Sequence, residues 1–130
     1  MKEVLAFLKQ SDIFYLATEE NGQPRVRPFG AVIGFRDRLY FVTSNQKDVY
    51  KQLKANPKVE ICGTVNGDWM RITGELTEDD NREAKLAMLA EYPQLGGMYA
   101  PDDGKMTMFY FSSGKAVRYS FMNAPVEYPL

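Results

Sequence analysis

Two Asn-Gly turns limit what this chain can fold into. Asn21-Gly22 and Asn66-Gly67 each separate short runs of β-branched, aromatic and alternating residues. Asn-Gly readily adopts the left-handed backbone that a tight hairpin turn needs. The first turn divides a strand at 13–18 from a return strand at 25–35. Arg36-Asp37 then turns the chain into a third strand at 39–43, and the three are expected to form an antiparallel meander. The second turn joins strands at 59–65 and 69–76. A last hairpin is expected from 107–111 and 116–121, across Ser113-Gly114. Between these strands fall helices. Met1, Val4, Leu5 and Leu8 share one face of a helix at 2–10. A second helix occupies 45–55 and ends at Asn56-Pro57. A third is opened by Thr77, has Glu78, Asp79 and Asp80 in its first turn, and runs to about residue 90. The sum is a mainly β protein with flanking helices: a single domain over residues 1–130, built on a six- to seven-stranded antiparallel barrel, closed or nearly so.

Composition narrows the chemistry. A chain of 130 residues makes one domain, since domains commonly run to about 100–150 residues, and its modest core makes dimerisation a natural supplement. The net charge of −1 argues against a surface built to neutralise nucleic-acid phosphates. Histidine is absent and Cys62 is the only cysteine. That removes Ser-His-Asp and Cys-His catalysis, His-ligated zinc and haem, and any intrachain disulfide. A reducing cytoplasm is the expected setting. The apolar stretch Val4 to Leu8 is too short for a membrane span.

The chemically suggestive stretch is Leu39-Tyr40-Phe41-Val42-Thr43-Ser44-Asn45-Gln46-Lys47, an apolar strand running into a polar helix start. Ser44 is a natural N-cap, Thr43 adds a hydroxyl, and Lys47 brings a full charge to the positive end of the helix dipole. Such a constellation suits a phosphate or another dianion; an ordinary capped helix with a solvated lysine is the alternative. Lys51 and Lys54 read as a solvated face. Arg25 and Arg27 share one face of their strand. Pro28 and Gly30 follow them, where a bulge would free backbone groups for a ligand. An edge protected by arginine and proline is the other reading.

Arg25-Val26-Arg27-Pro28, then Tyr40 to Lys47, then Asp68-Trp69-Met70-Arg71-Ile72-Thr73-Gly74 resemble, in order and spacing, the pyridoxamine 5′-phosphate oxidase-like FMN-binding split-barrel proteins. The resemblance covers most of the chain. It implies a homodimer with FMN in two clefts between the subunits. It places Arg25 and Lys47 near the phosphate, with Thr43, Ser44 and Asn45 supplying hydrogen bonds. Val26, Arg27 and Pro28 would pass their backbone along the isoalloxazine ring. Trp69 matches a position that can face the cofactor, a core tryptophan being the other reading. Gln46-Lys47 replaces the Arg-Lys pair of the true oxidases, and their substrate-binding tail has no counterpart beyond Arg118. The resemblance is therefore to the small oxidoreductases of the family, some related to nitroimidazole-resistance or general stress proteins.

The implied function is that of an FMN-dependent oxidoreductase acting on a small-molecule redox substrate, with NAD(P)H as a candidate donor. The flavin would carry the redox chemistry, and no catalytic side chain or metal site is assigned. The alternatives are a non-catalytic flavin-binding or stress-related module, a tetrapyrrole binder disfavoured by the missing histidine, and a cofactor-free dimer. No nucleic-acid or membrane partner is expected. The loop 92–105, with Gly96-Gly97, Met98 and Tyr99, is expected to cover the open side of the ring, a mobile surface loop without a role being the other reading.

Overall fold

The computed structural model describes residues 1–130. Helix α1 (Lys2–Ser11) precedes strands β1 (Phe14–Glu20), β2 (Gln23–Phe29), β3 (Ile33–Phe35) and β4 (Arg38–Ser44). Then come α2 (Asp48–Ala55), β5 (Lys58–Val65), β6 (Asp68–Glu78), α3 (Arg82–Glu91), a 3-10 turn at Pro93–Gly97, β7 (Met106–Tyr119) and β8 (Val126–Pro129). All eight strands join one antiparallel sheet in the order β2-β1-β5-β6-β7-β4-β3, with β8 paired to β7. This is the expected mainly β split barrel with flanking helices, with eight strands where six or seven were counted.

The Asn-Gly turns form as their chemistry requires. Asn21 and Gly22 have φ of 51° and 85°, Asn66 and Gly67 51° and 87°, and each turn closes a two-residue hairpin, Glu20 opposite Gln23 and Val65 opposite Asp68. Arg36 and Asp37 adopt the same left-handed backbone without a glycine between Phe35 and Arg38.

The meander does not form. The expected return strand breaks after Phe29, and its two pieces go to opposite ends of the sheet, β2 against β1 and β3 against β4. Pro28 cannot donate to a ladder and Gly30 follows it, so continuous pairing fails here. The break is the split in the barrel. The sheet curls until its two end regions, β2 and β4, approach across the gap.

The last hairpin is corrected as well. Ser113 and Gly114 lie within β7, which pairs with β6 along its length across a bulge between Glu75 and Leu76. Gly74 and Gly114 serve a close strand approach: a Cβ on Gly74 would stand 2.1 Å from the Ser113 carbonyl. The last hairpin instead joins β7 to β8, with Arg118 opposite Val126. Continued pairing of Thr77 with Tyr110 and Glu78 with Phe109 also keeps these residues in β6. The third helix therefore starts later, at Asn81, whose side chain caps it by accepting from the Ala84 N–H at 3.2 Å.

The inner face of the barrel is packed by Phe14, Leu16, Phe41, Ile61, Ile72 and Phe111, with Val4, Phe7 and Leu8 of α1 and Val49 and Leu53 of α2 closing it. Phe41 sits edge-on to Phe14 at 5.8 Å and to Phe111 at 5.6 Å. A second, smaller core lies outside the barrel wall. There Ile33, Tyr40, Met106 and Met108 pack against Ala84 and Met88 of α3 and against Tyr99. This outer core fixes the segment after α3 beside the split.

Candidate functional site

A cleft of about 390 Å³ opens at the split. One wall is β2 and the break after it, with Arg27, Pro28, Phe29 and Ala31; Val42 and Thr43 of β4 form the second wall, and Lys47 and Val49 close the α2 side. Tyr92, Leu95, Met98 and Tyr99 supply the remaining side. A second hollow of about 650 Å³ adjoins it, lined by Arg25, Val26, Arg27, Pro28, Lys47 and Gln52. The two share Arg27, Pro28, Lys47 and Val49, so an apolar slot continues into a region with three cationic side chains. Glu20 and Asp48 line that region too, which tempers its field.

The three cations are held differently. Arg25 is half exposed and pairs with Glu20 at 3.2 Å. Lys47 is exposed and stands in extended conformation at the N-cap of α2, beside open N–H groups of the first turn. Arg27 is partly buried. Its Nη1 donates to the Leu16 carbonyl at 3.2 Å and to Thr18 Oγ1 at 2.8 Å, and its Nη2 donates to Gln52 Oε1 at 2.5 Å. Burial, and then the neighbouring charge of Arg25, lowers its pKa from the usual arginine value.

Ser44 is not the helix cap. Its Oγ accepts the Gln46 N–H at 3.1 Å, and its carbonyl accepts from the Lys47 N–H at 3.1 Å. That turn spends residues 45–47, and α2 begins at Asp48 where 45 was expected. The Asn45 side chain donates to the Gly104 carbonyl at 2.9 Å and accepts from Gln46 Nε2. Asn45 and Ser44 therefore brace the approach to the site and line neither hollow, whereas Thr43 lines the slot while its carbonyl accepts Thr107 Oγ1 at 2.7 Å. Trp69 also lines neither hollow. It stacks on Tyr119 at 5.5 Å and 14° and touches Phe121 at 5.0 Å. Arg118 is committed to Asp68 at 2.8 Å and lies over the Phe7 ring.

Several residues that line the site or hold its lining side chains carry no short motif. Thr18 and Gln52 could have been suspected only as polar residues at core positions of an amphipathic strand and helix. The segment 92–99 is fixed by Tyr92, whose hydroxyl donates to the Val32 carbonyl at 3.2 Å and accepts the Val32 N–H at 3.3 Å. The wall is thus tied to the very break in the sheet. No group of histidine, cysteine or carboxylates is placed to hold a metal ion, and no helix is long and apolar enough to cross a membrane.

Comparison with known proteins fits this architecture. The sequence profile of pyridoxamine 5′-phosphate oxidase matches residues 1–116. A NimC/NimA family protein from Clostridium acetobutylicum is 46% identical, with TM-score 0.97 over 100% of this chain and 92% of that one. A pyridoxamine 5′-phosphate oxidase-related, FMN binding protein from Nostoc punctiforme shares the fold at 16% identity, TM-score 0.63, over 99% of this chain and 93% of that one. A heme binding protein from Mycobacterium smegmatis shares it at 12% identity, TM-score 0.77, over 98% of this chain and 56% of that one. No curated protein matches the sequence. The profile match over most of the chain is decisive: this chain belongs to the pyridoxamine 5′-phosphate oxidase family.

Proposed function

We propose that this protein is an FMN-binding flavoprotein and an oxidoreductase of its family. The carrying observation is the joined cleft: an apolar slot between Pro28, Ala31, Val42 and Leu95 runs into Arg25, Arg27 and Lys47. An aromatic ring system on a phosphorylated chain has that same division of apolar body and anionic end, so the residues present fit the group. The FMN binding described for the Nostoc relative supports the reading. Bound FMN would supply hydride and single-electron transfer. The chain's own contributions are binding and exclusion. Lys47, Arg25 and Arg27 would hold the phosphate through charge-assisted hydrogen bonds. The backbone at Val26, Arg27 and Pro28 would border the ring, on an edge strand with one side unpaired. Leu95, Met98 and Tyr99 would limit solvent access.

The reading includes a homodimer that completes each flavin site. Tyr15 on β1 and Val26 on β2 are 51% and 68% exposed, and Phe121 and Met122, between β7 and β8, are 86% and 88% exposed. Exposed apolar surface of this kind suits a C₂ pair with two equivalent sites.

The test is titration of the purified protein with FMN, followed by anaerobic addition of NAD(P)H. Quenched flavin fluorescence at stoichiometric protein, then bleaching of the flavin's visible absorption, is expected. Binding without bleaching by either nucleotide would leave a flavin-binding module. A tetrapyrrole absorption in place of flavin binding would overturn the assignment.

A further inference from the structure

The neutral anchoring of Arg27 says more about the cleft than its charge alone. Thr18 and Gln52 are buried to 4% and 5% exposure, on β1 and α2, in positions an apolar side chain would ordinarily fill. They form a closed ring with the guanidinium. Thr18 Oγ1 donates to Gln52 Oε1 at 2.5 Å and accepts from Arg27 Nη1, while Gln52 Oε1 also accepts from Arg27 Nη2. Burying polar groups is costly unless they are hydrogen-bonded, and no buried side-chain nitrogen or oxygen here is left without a partner.

No carboxylate is within ion-pair distance of Arg27, unlike Arg25, Arg36, Arg71, Arg82 and Arg118. Guanidinium has five N–H donors. Leu16, Thr18 and Gln52 take three of them, leaving Nε–H and one Nη2 hydrogen on adjacent nitrogens. That pair is the fork that matches two oxygens of one phosphate or carboxylate. The anchoring also removes the rotamer entropy that a free arginine would lose on binding.

We propose that Gln52 and Thr18 are positioning residues that aim the free edge of Arg27 into the cleft, and so set its preference for a phosphorylated flavin over an unphosphorylated one. The proposal rests on the flavin reading and deepens it. Its signature is selectivity, because a merely structural role would weaken FMN and riboflavin alike. Gln52 is also the only link from α2 to this ring, so the helix that presents Lys47 and the strand that presents Arg27 are placed by the same bond.

The experiment compares FMN and riboflavin dissociation constants in the full-length protein. Gln52→Met, which keeps volume and removes the acceptor, is expected to weaken FMN about tenfold, in line with hydrogen bonds to charged groups, and riboflavin less than about twofold. Gln52→Glu is expected to lower the FMN-to-riboflavin preference as well, by pairing with Arg27. Thr18→Val should shift the ratio in the same direction, and Thr18→Ser should restore it. Should Gln52→Met fail to fold, the Thr18 pair carries the test. An unchanged ratio in these variants, or equal losses for both flavins, overturns the proposal while the flavin reading stands. Should the wild type bind neither flavin, that reading fails, and inorganic pyrophosphate becomes the probe. A rise in melting temperature with pyrophosphate that Gln52→Met and Thr18→Val abolish supports the positioning role; no rise in the wild type overturns it.

Discussion

At the scale of single residues, charge matters most where backbone donors converge on it. The Asp103 carboxylate accepts N–H groups from Met106 and Lys105 at 2.8 Å and from Ala100 at 3.0 Å. These bonds hold its pKa down from 3.8 to about 2. The ionised form is favoured in the folded state, so this contribution is complete above the unfolded value and is lost as pH falls through the folded one. Asp103→Ala is expected to melt below the wild type at neutral pH, with the gap closing between pH 3.8 and about 2. A gap that persists unchanged at the acid end would assign the loss to something other than these bonds. Lys47 makes no ion pair, and its charge is free for a ligand at the start of α2. Lys47→Ala should weaken FMN roughly tenfold, as for the loss of a charged hydrogen bond, and riboflavin little. Isothermal titration with both flavins checks this, and equal losses would remove Lys47 from the phosphate site.

Among the elements, the segment after α3 shows how a long loop whose only regular piece is the short 3-10 turn at Pro93–Gly97 can be ordered by its side chains. Tyr92 ties it to Val32, Tyr99 buries against the outer core, and Asp103 gathers its far end. The expected cover for the ring is thus a fixed wall in this structure. Tyr92→Phe removes both bonds to Val32 and should loosen the wall. In the reduced, FMN-loaded protein it is expected to speed reoxidation by oxygen in stopped-flow measurements, with FMN affinity little changed because the phosphate anchors lie elsewhere. A reoxidation rate equal to the wild type would show that the segment does not gate the ring.

On the scale of the whole molecule, the split in the barrel makes the site. β2 and β4 are remote along the sheet order, and only its curl lets Arg27 and Thr43 line one slot. The exposed apolar residues Tyr15, Val26, Phe121 and Met122 lead to the homodimer expectation. Light scattering should give twice the mass of one chain, and Tyr15→Asp, on the exposed outer face, should shift the protein toward monomer and weaken FMN. A wild-type monomer that holds FMN stoichiometrically would refute a shared site.

The local sequence determined what local chemistry can determine. Asn-Gly pairs fixed two hairpins, apolar spacing placed the first helix, Asn56-Pro57 ended the second, and the order of Arg25 to Pro28, Tyr40 to Lys47 and Trp69 carried the family resemblance. Tertiary structure decided where those rules compete with distant partners. Ser113-Gly114 has turn composition yet stays extended, because β6 offers a full ladder of pairing and the glycines permit close approach. Ser44 has capping chemistry, but its hydroxyl is taken by Gln46, and Asn45 is taken by Gly104. The meander parted after Phe29, where Pro28 and Gly30 interrupt the strand, and its two pieces found partners at opposite ends of the sheet, β1 and β4. Thr18 and Gln52 show locally only as polar residues at core positions, since a buried polar residue acquires its meaning from the partner that the fold brings to it.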